Sequence, residues 1–317
     1  MTQTDYLGQG FIGQSNTRRG VNFYIEGQRT NGILPPLLLT SQRGSGKTEM
    51  ARIIAKNLID PTTKQTKPWI EINGASVKKV KGLVDNIIIP HVANGKQVTL
   101  VWDECHSSES EVKDWMLSVL QPNENNTTTA AHGGEVFEFN FTQFSLIMVS
   151  TNPEELSKPL LSRLKRIELE PYSFSDLGDI LLKHLKTINL QDNVIEEIIP
   201  ISRQSPREIV KISKDIQQYC AQNKKDSFGA KEWSDLKSIL NIKPLGLTSN
   251  EIELLSFLKN RGPQTLTAIG AKLRLDVSTV RKDIEQFLLS ENLIKIDGRR
   301  EITNFGQKLI DSLVPKV

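Results

Sequence analysis

The residues Leu34–Leu58, LPPLLLTSQRGSGKTEMARIIAKNL, decide how the first half of this chain folds. An apolar run ends in a glycine-rich turn that closes on Gly-Lys-Thr, and a pattern of apolar residues at helix spacing begins at once. The order is therefore strand, loop, helix. Such a loop suits a phosphate chain, because backbone N–H groups of the loop and of the helix N-terminus point at one spot. We predict a nucleoside triphosphate site here, with an ordinary strand–helix turn as the alternative.

The individual residues of this loop have distinct predicted roles. Lys47 is expected to reach the β- and γ-phosphates, and the Thr48 hydroxyl to bind Mg²⁺. Ser41 stands where the usual GxxxxGK[ST] pattern has its first glycine. The other predicted nucleotide-binding residues of the loop and helix start are Arg43, Gly44, Ser45, Gly46 and Glu49.

A second apolar strand ends in two carboxylates, in the stretch VTLVWDECH from Val98 to His106. Buried parallel strands present such acids at their carboxyl ends. In a P-loop ATPase Asp103 holds the Mg²⁺ shell and Glu104 polarises the attacking water. A core strand that ends in a solvated acidic turn is the alternative interpretation.

A third apolar strand, Phe144–Ser150, ends in Thr151-Asn152. The Asn152 amide could orient the water or touch the γ-phosphate. Asparagine after a strand is more often a turn former, so this assignment depends on its context.

The order of motifs FIGQ (Phe11–Gln14), P-loop, DECH, TN, PLLSR, PY and SPR resembles that of an AAA+ ATPase. Within that class the chain is most similar to the RuvB-type Holliday-junction branch-migration motors, which carry a similar IGQ entry, a DEIH-like box and a GTPR motif. The resemblance implies an α/β fold with a P-loop parallel-sheet domain, a helical lid and a C-terminal winged helix. It also implies ATP and Mg²⁺ as cofactors and a homo-oligomeric, hexameric ring.

The same resemblance implies roles for single residues. Phe11 and Ile12 would flank the adenine, and Asn152 would act as sensor 1. Arg163 would be the arginine finger given to the neighbouring subunit, and Arg207 the sensor-2 arginine. Tyr172 and Pro206 would complete the nucleotide pocket. For Arg163 and Arg166 the alternative is a solvated position near a helix end, which the helix dipole favours.

Composition predicts a soluble protein of ordinary globular type. The 317 residues carry a net charge of +3, two cysteines and 38% hydrophobic residues. No apolar run approaches the roughly 20 residues that span a membrane, and the start of the chain lacks the pattern of a signal peptide. We therefore expect a cytoplasmic protein without membrane contact. The expected domains are residues 1–171 (ATPase), 172–242 (lid) and 243–317 (winged helix).

The polar stretch Asn123–Gly134, NENNTTTAAHGG, is interpreted as the tip of an inserted hairpin or loop. In the RuvB family a hairpin near this place has an apolar tip that grips the partner RuvA. Because a polar tip buries no equivalent apolar contact, this interpretation places a RuvA-like partner in doubt. A loop with no partner is the alternative.

The pattern after Leu247 is that of a winged helix. Its third helix is expected over Val277–Ser290, with Asp276 as N-cap, and exposes Arg281 and Lys282 where helix-turn-helix proteins approach DNA. A hairpin around Asp297-Gly298 places Arg299 and Arg300 at its tip, where they suit phosphate contacts. A protein-docking role is the alternative for this domain.

These observations together predict an ATP-driven, ring-forming motor that moves duplex DNA in recombination or repair. One alternative is a clamp-loader or helicase-loader ATPase, which shares the same site. Another is a nucleotide-gated DNA-binding regulator in which hydrolysis is vestigial, an interpretation that Ser41 and the altered sensor positions keep open.

Overall fold

The computed structural model describes residues 4–93 and 95–313. The described chain forms two compact units. The first runs through Ile195 and includes Gln204–Ser227, and the second comprises Glu196–Arg203 and the chain from Phe228 onward. The first three residues of the predicted first domain and the last four of the predicted third domain lie outside the described residues.

The first unit is built on a five-stranded parallel sheet. Its strands are β1 (Leu37–Thr40), β2 (Trp69–Asn73), β3 (Val98–Asp103), β6 (Phe144–Ser150) and β7 (Lys165–Glu168), in the spatial order β2-β3-β6-β1-β7. Every pairing is parallel. The carboxyl ends of β1, β3 and β6 therefore meet at one edge, where ligands of open α/β sheets bind.

Both faces of this sheet are covered, so the inner strands are almost entirely buried and mostly apolar. All four residues of β1 and all seven of β6 are buried. Alternate residues pack into different cores: Leu38 and Trp102 lie in one, Leu39 and Val101 in the other. This explains why the strands appear as continuous apolar runs instead of alternating patterns.

Helices connect the strands. Those of the first unit are Ser15–Asn31, Lys47–Asn57, Val80–Leu83 with the π-helical Val84–Val92, Ser110–Val119, Lys158–Leu161, Phe174–His184 and Pro206–Asn223. Short 3₁₀ turns occupy Gly8–Gly10, Gly74–Ser76, Cys105–Ser107 and Pro153–Glu155. The helix Asp192–Ile201 begins in the first unit and ends in the second.

An antiparallel hairpin is inserted before β6. It consists of β4 (Thr127–His132) and β5 (Glu135–Asn140), joined at Gly133-Gly134. The expected hairpin exists, but the tip predicted over Asn123–Gly134 is misplaced, because half of that stretch, Thr127–His132, forms a strand. Threonine favours strands, and three consecutive threonines begin β4. Two-residue strands, β8 (Asn189–Leu190) and β9 (Ser227–Phe228), follow later in the chain.

The second unit contains the predicted winged helix. Its helices are Ala230–Ile239, Ser249–Arg261, Leu266–Leu273, a continuous stretch over 277–290 and Asn304–Leu313, with a 3₁₀ turn at Pro244–Gly246. The stretch over 277–290 is π-helical at Val280–Glu285, and Asp276 is its N-cap residue but makes no side-chain capping hydrogen bond. The wing is β10 (Ile294–Asp297) and β11 (Arg299–Ile302), which pair across Gly298.

A buried ion pair lies in this second unit. The Arg203 guanidinium donates to both carboxylate oxygens of Glu251, at 2.9 and 2.6 Å, and to the Gly246 carbonyl at 2.6 Å. Its carbon lies 3.6 Å from the centre of the Phe287 ring. The Glu251 side chain is 1% exposed, so the arginine neutralises a fully buried carboxylate.

The predicted lid helices are present, but the two compact units divide them: Phe174–His184 and Pro206–Asn223 belong to the first, Ala230–Ile239 to the second. The three-domain division of the chain stays a prediction. Among the residues that the structure describes, no helix is long and apolar enough to cross a membrane.

Candidate active site

The glycine-rich loop after β1 is the segment for which the sequence predicts a phosphate cradle. Gly44 and Gly46 have φ values of +83° and +92°, a backbone region that side chains disfavour. A methyl group on Gly44 would lie 2.5 Å from the Ser205 hydroxyl, so the loop approaches the start of the helix Pro206–Asn223 closely. The Arg207 N–H donates to the Gly44 carbonyl at 3.3 Å. The sequence SPR therefore contacts the P-loop, and the sensor-2 role of Arg207 stays a prediction.

Lys47 is the first residue of the helix after this loop, and its side chain folds back over the loop. The Nζ donates to the carbonyls of Ser41 at 3.0 Å and Gln42 at 2.7 Å. Burial lowers the pKa of Lys47 to about 8; the carboxylates Glu104 and Asp103 oppose that shift, and Arg207 adds to it. A bound phosphate chain would supply the missing negative charge and favour the ammonium form.

Thr48 and Asp103 form the predicted metal-binding pair. The Thr48 hydroxyl lies 3.2 and 3.1 Å from the two Asp103 carboxylate oxygens. Burial is the main cause that raises the pKa of Asp103; the Thr48 hydrogen bond opposes it, and the charge of Glu104 adds to it. A hydroxyl and a carboxylate are hard oxygen donors of the kind that Mg²⁺ prefers, so this pair fits that ion.

Glu104 follows β3 in the left-handed region, with φ of +48° and ψ of +42°. Its carboxylate Oε2 accepts from the Thr151 hydroxyl at 3.1 Å and lies 3.4 Å from His106 Nε2. The His106 Nδ1 is 3.1 Å from the Ser150 hydroxyl. A side chain rarely adopts this backbone region without support, and such strain clusters at functional sites. The sequence interpretation missed Thr151 and His106 as partners of Glu104.

A cavity of about 520 Å³ opens beside these groups. Predicted site residues that line it are Phe11, Ile12, Arg43, Gly44, Gly46, Lys47, Thr48, Glu49, Glu104, Tyr172, Pro206 and Arg207. A methyl group on Gly46 would lie 3.5 Å from both the Phe11 ring and the Tyr172 hydroxyl, so these aromatic side chains flank the loop. Burial raises the pKa of Tyr172, which keeps its hydroxyl neutral.

The sequence interpretation missed a basic rim of the same cavity. It consists of Arg52, Lys183, His184, Lys211 and Lys214. Lys183 donates to the Gly10 carbonyl, and burial, together with Lys183 and Lys214, lowers the pKa of His184. Helix spacing alone makes these residues look like an ordinary solvated face. The lysines and Arg52 of this rim add positive charge to a site that already suits an anion.

Comparisons with known proteins identify the same family that the order of sequence motifs resembles. Residues 5–169 match the family model of the Holliday junction DNA helicase RuvB P-loop domain, and residues 244–311 match that of the RuvB C-terminal winged helix domain. The chain belongs to the RuvB family. Members of this family are ATP-driven Holliday junction branch-migration motors, and this chain carries their P-loop ATPase domain.

Similar proteins cover nearly the whole chain. The Holliday junction branch migration complex subunit RuvB of Campylobacter lari is 24% identical over 302 residues, 93% of this chain and 87% of its own length. RuvB of Thermotoga petrophila is 25% identical over 315 residues, 96% and 91% of the two chains. The solved Thermotoga maritima RuvB branch migration motor has a TM-score of 0.75 at 23% identity and covers 99% of each chain. At that identity the last comparison shows the fold.

Apart from the trans residue Arg163, three predicted residues of the nucleotide and metal site, Ser45, Asp103 and Asn152, do not line the cavity. The Asn152 amide donates to Glu155 at 2.7 Å instead, and Thr151 lines the cavity. Ser45 is buried, and its hydroxyl has no hydrogen-bond partner within the described part of the chain. The sensor-1 role of Asn152 stays a prediction.

Neither of the candidate finger arginines lines the cavity of its own chain. Arg163 donates to the Pro159 carbonyl at 2.6 Å at the surface. Arg166 donates to the Thr40 hydroxyl at 3.0 Å and lies 3.3 Å from Glu168. Arg166 therefore has partners within its own sheet, whereas the position of Arg163 is compatible with a role on a neighbouring subunit.

The winged helix requires one correction. Arg300 is not a free residue at the wing tip, because its guanidinium donates to the Glu285 carboxylate at 2.6 and 3.2 Å. The two side chains are 13% and 7% exposed. Arg281, Lys282 and Arg299 are exposed as predicted.

The doubt about a RuvA-like partner is unsupported. It depended on a polar hairpin tip, but Val136 lies beside the turn and is 69% exposed. An exposed apolar side chain is therefore available on this hairpin.

Proposed function

We propose that this chain binds ATP with Mg²⁺ and uses hydrolysis to move DNA at Holliday junctions, as expected of a RuvB-family motor. One observation carries the proposal: Lys47, Thr48 and Glu104 line a single cavity at the carboxyl edge of the sheet, and Asp103 accepts from the Thr48 hydroxyl beside it. These are the groups that position a triphosphate, its metal ion and the attacking water in P-loop enzymes.

Thr48 and Asp103 would hold the magnesium ion. When bound, that ion would neutralise charge on the phosphate oxygens. Lys47 and Arg207 line the same cavity and add positive charge beside the phosphates. Glu104 would orient the attacking water through the carboxylate oxygen that faces away from Thr151 and His106. The flanking Phe11 and Tyr172 exclude water from one side of the loop.

The transition state needs a further cation, for which Arg163 of a neighbouring subunit is suited. A trans arginine is worth about 10³–10⁵ in rate in related GTPases. This proposal requires a closed homo-oligomer, for which a hexameric ring is the expected form. The positions of Arg163 at the surface and of Arg166 against Thr40 support the assignment of Arg163.

DNA contact is assigned to the winged helix through Arg281, Lys282 and Arg299, which are exposed. Such residues neutralise phosphates without reading sequence, as a non-specific motor requires. The inserted hairpin would bind a RuvA-like partner through Val136. A cytoplasmic location is part of the same proposal.

The test measures ATP hydrolysis by purified protein with four-way junction, duplex or single-stranded DNA. A motor for junctions should be stimulated most by the four-way junction. No hydrolysis under any condition would favour the nucleotide-gated regulator. Equal stimulation by all three DNAs would favour a loader.

A further inference from the structure

His106 lies where two elements of the site meet. It follows the acidic pair by two residues, and its ring stands between Glu104 and Ser150 at the end of β6. Its side chain is 10% exposed, and it is not among the residues that line the cavity. Any effect of His106 on catalysis therefore acts through the groups that it contacts.

Hydrogen bonding around Ser150 determines which atom is the donor in the contact between Ser150 and His106. The Asn152 N–H donates to the Ser150 hydroxyl oxygen at 3.0 Å. Ser150 is fully buried, and within residues 4–93 and 95–313 its hydroxyl proton has no acceptor other than His106 Nδ1. A buried hydroxyl proton without an acceptor is costly, so Ser150 donates to Nδ1. Nε2, which faces Glu104, then carries the ring N–H.

Both partners of Glu104 meet the same carboxylate oxygen. The Thr151 hydroxyl and His106 Nε2 lie 3.1 and 3.4 Å from Oε2. In the described chain Oε1 has no hydrogen-bond partner, and Glu104 lines the cavity. Both contacts restrain Oε2 and leave Oε1 available to a water molecule.

We propose that His106, as the Nε2–H tautomer, is a positioning residue that orients the Glu104 carboxylate and connects it to Ser150 at the end of strand β6. The inference depends on the proposed ATPase function, because Glu104 is the group that it serves. Ser150 and Thr151 adjoin Asn152, so a change at the end of β6 would reach Glu104 by two routes, through Thr151 directly and through Ser150 and His106.

Two substitutions separate the two ring contacts. Asparagine places its amide near the position of Nδ1, and glutamine places its amide near Nε2. His106→Gln should therefore keep the Glu104 contact, and His106→Asn should keep only the Ser150 contact. We expect His106→Asn to lower kcat about tenfold with KM for ATP unchanged, the lower end of the effect of groups that orient reactive ligands. His106→Gln should stay within about twofold of wild type.

Three further measurements make the result decisive. His91→Asn, at an exposed position, is the control and should change nothing. Thermal unfolding of each variant separates a loss of stability from a loss of positioning. In ¹⁵N-histidine-labelled protein without nucleotide, the His106 signal, assigned by its absence in His106→Asn, should show protonated Nε2 and unprotonated Nδ1.

Equal losses in kcat for His106→Asn and His106→Gln, or no loss in either, would overturn the inference. So would a protonated Nδ1 with a bare Nε2. If the wild-type protein hydrolyses no ATP, the proposed function fails instead, while the tautomer measurement still decides the geometry around His106.

Discussion

Glu104 is the residue on which hydrolysis depends most directly. The substitution Glu104→Gln keeps the size of the side chain and removes the charge that polarises water. Thr48 and Asp103 are unchanged, so ATP binding should persist, while turnover falls by at least about 100-fold. Binding of a fluorescent ATP analogue and steady-state turnover measure the two effects. Turnover at the wild-type rate would show that another group positions the water.

Arg299 and Arg300 are neighbours with different expected roles. Arg299→Ala should weaken binding to all DNA sequences and reduce the slope of log affinity against log salt by about 0.9, because one phosphate contact is lost. Arg300→Ala leaves the buried Glu285 without its partner, so it should lower the free energy of unfolding by about 3 kcal/mol. Salt titrations and denaturant unfolding of both variants measure these effects. If Arg299→Ala lost stability and Arg300→Ala did not, the roles assigned to the two arginines would be reversed.

Sequence reasoning found the residues that motifs mark and missed those that only the fold brings together. Lys47, Thr48 and Asp103 follow strands at a recognisable spacing, and the structure assembles them. Arg300 and Glu285 lie 15 residues apart, and their pairing depends on how the wing packs against the third helix. His106 belonged to the quoted box, but its contact with Ser150 spans 44 residues and carries no periodic signal.

At the level of elements, the Arg203–Glu251 ion pair holds the segment Glu196–Arg203 in the second unit. Glu251 also accepts from the Thr248 N–H at 2.7 Å in the capping box of the helix Ser249–Arg261. Among the described residues, Arg203 is the only cation paired with the buried Glu251 carboxylate, and Arg203→Ala removes it. We expect a loss of about 3–5 kcal/mol in the stability of that unit.

The matched control for this prediction is Lys259→Ala, which removes an exposed ion pair with Asp311. Exposed pairs contribute at most about 1 kcal/mol. Denaturant unfolding of both variants gives the comparison. If both variants lost the same small amount of stability, the Arg203–Glu251 ion pair would not be what holds this segment in the second unit.

Predicted elements were most accurate where the pattern was strong. The strands around the P-loop and the acidic box were found because both faces of the sheet are covered and each strand is a mostly apolar run. The prediction of the hairpin was wrong at its boundaries, because the sequence TTTAAH of β4 is mostly polar and small and looks like a loop.

On the scale of the whole molecule, the proposal requires subunits to complete one another. Arg163→Ala should abolish turnover while each subunit still binds nucleotide, because the residue acts on a neighbour's ATP. Mixing it with Lys47→Ala subunits should restore part of the activity, since some interfaces then join an intact cavity to an intact arginine. No recovery at any mixing ratio would remove Arg163 from the trans role.

The central claim is that ATP hydrolysis moves DNA at a junction. The most direct measurement follows a labelled four-way junction as it separates into duplex products, with RuvA from a family relative supplied in every reaction. The account predicts ATP-dependent separation by the wild-type chain and none by Glu104→Gln or with a non-hydrolysable ATP analogue. Sustained ATP hydrolysis by the wild-type chain while the junction stays intact would contradict a motor role.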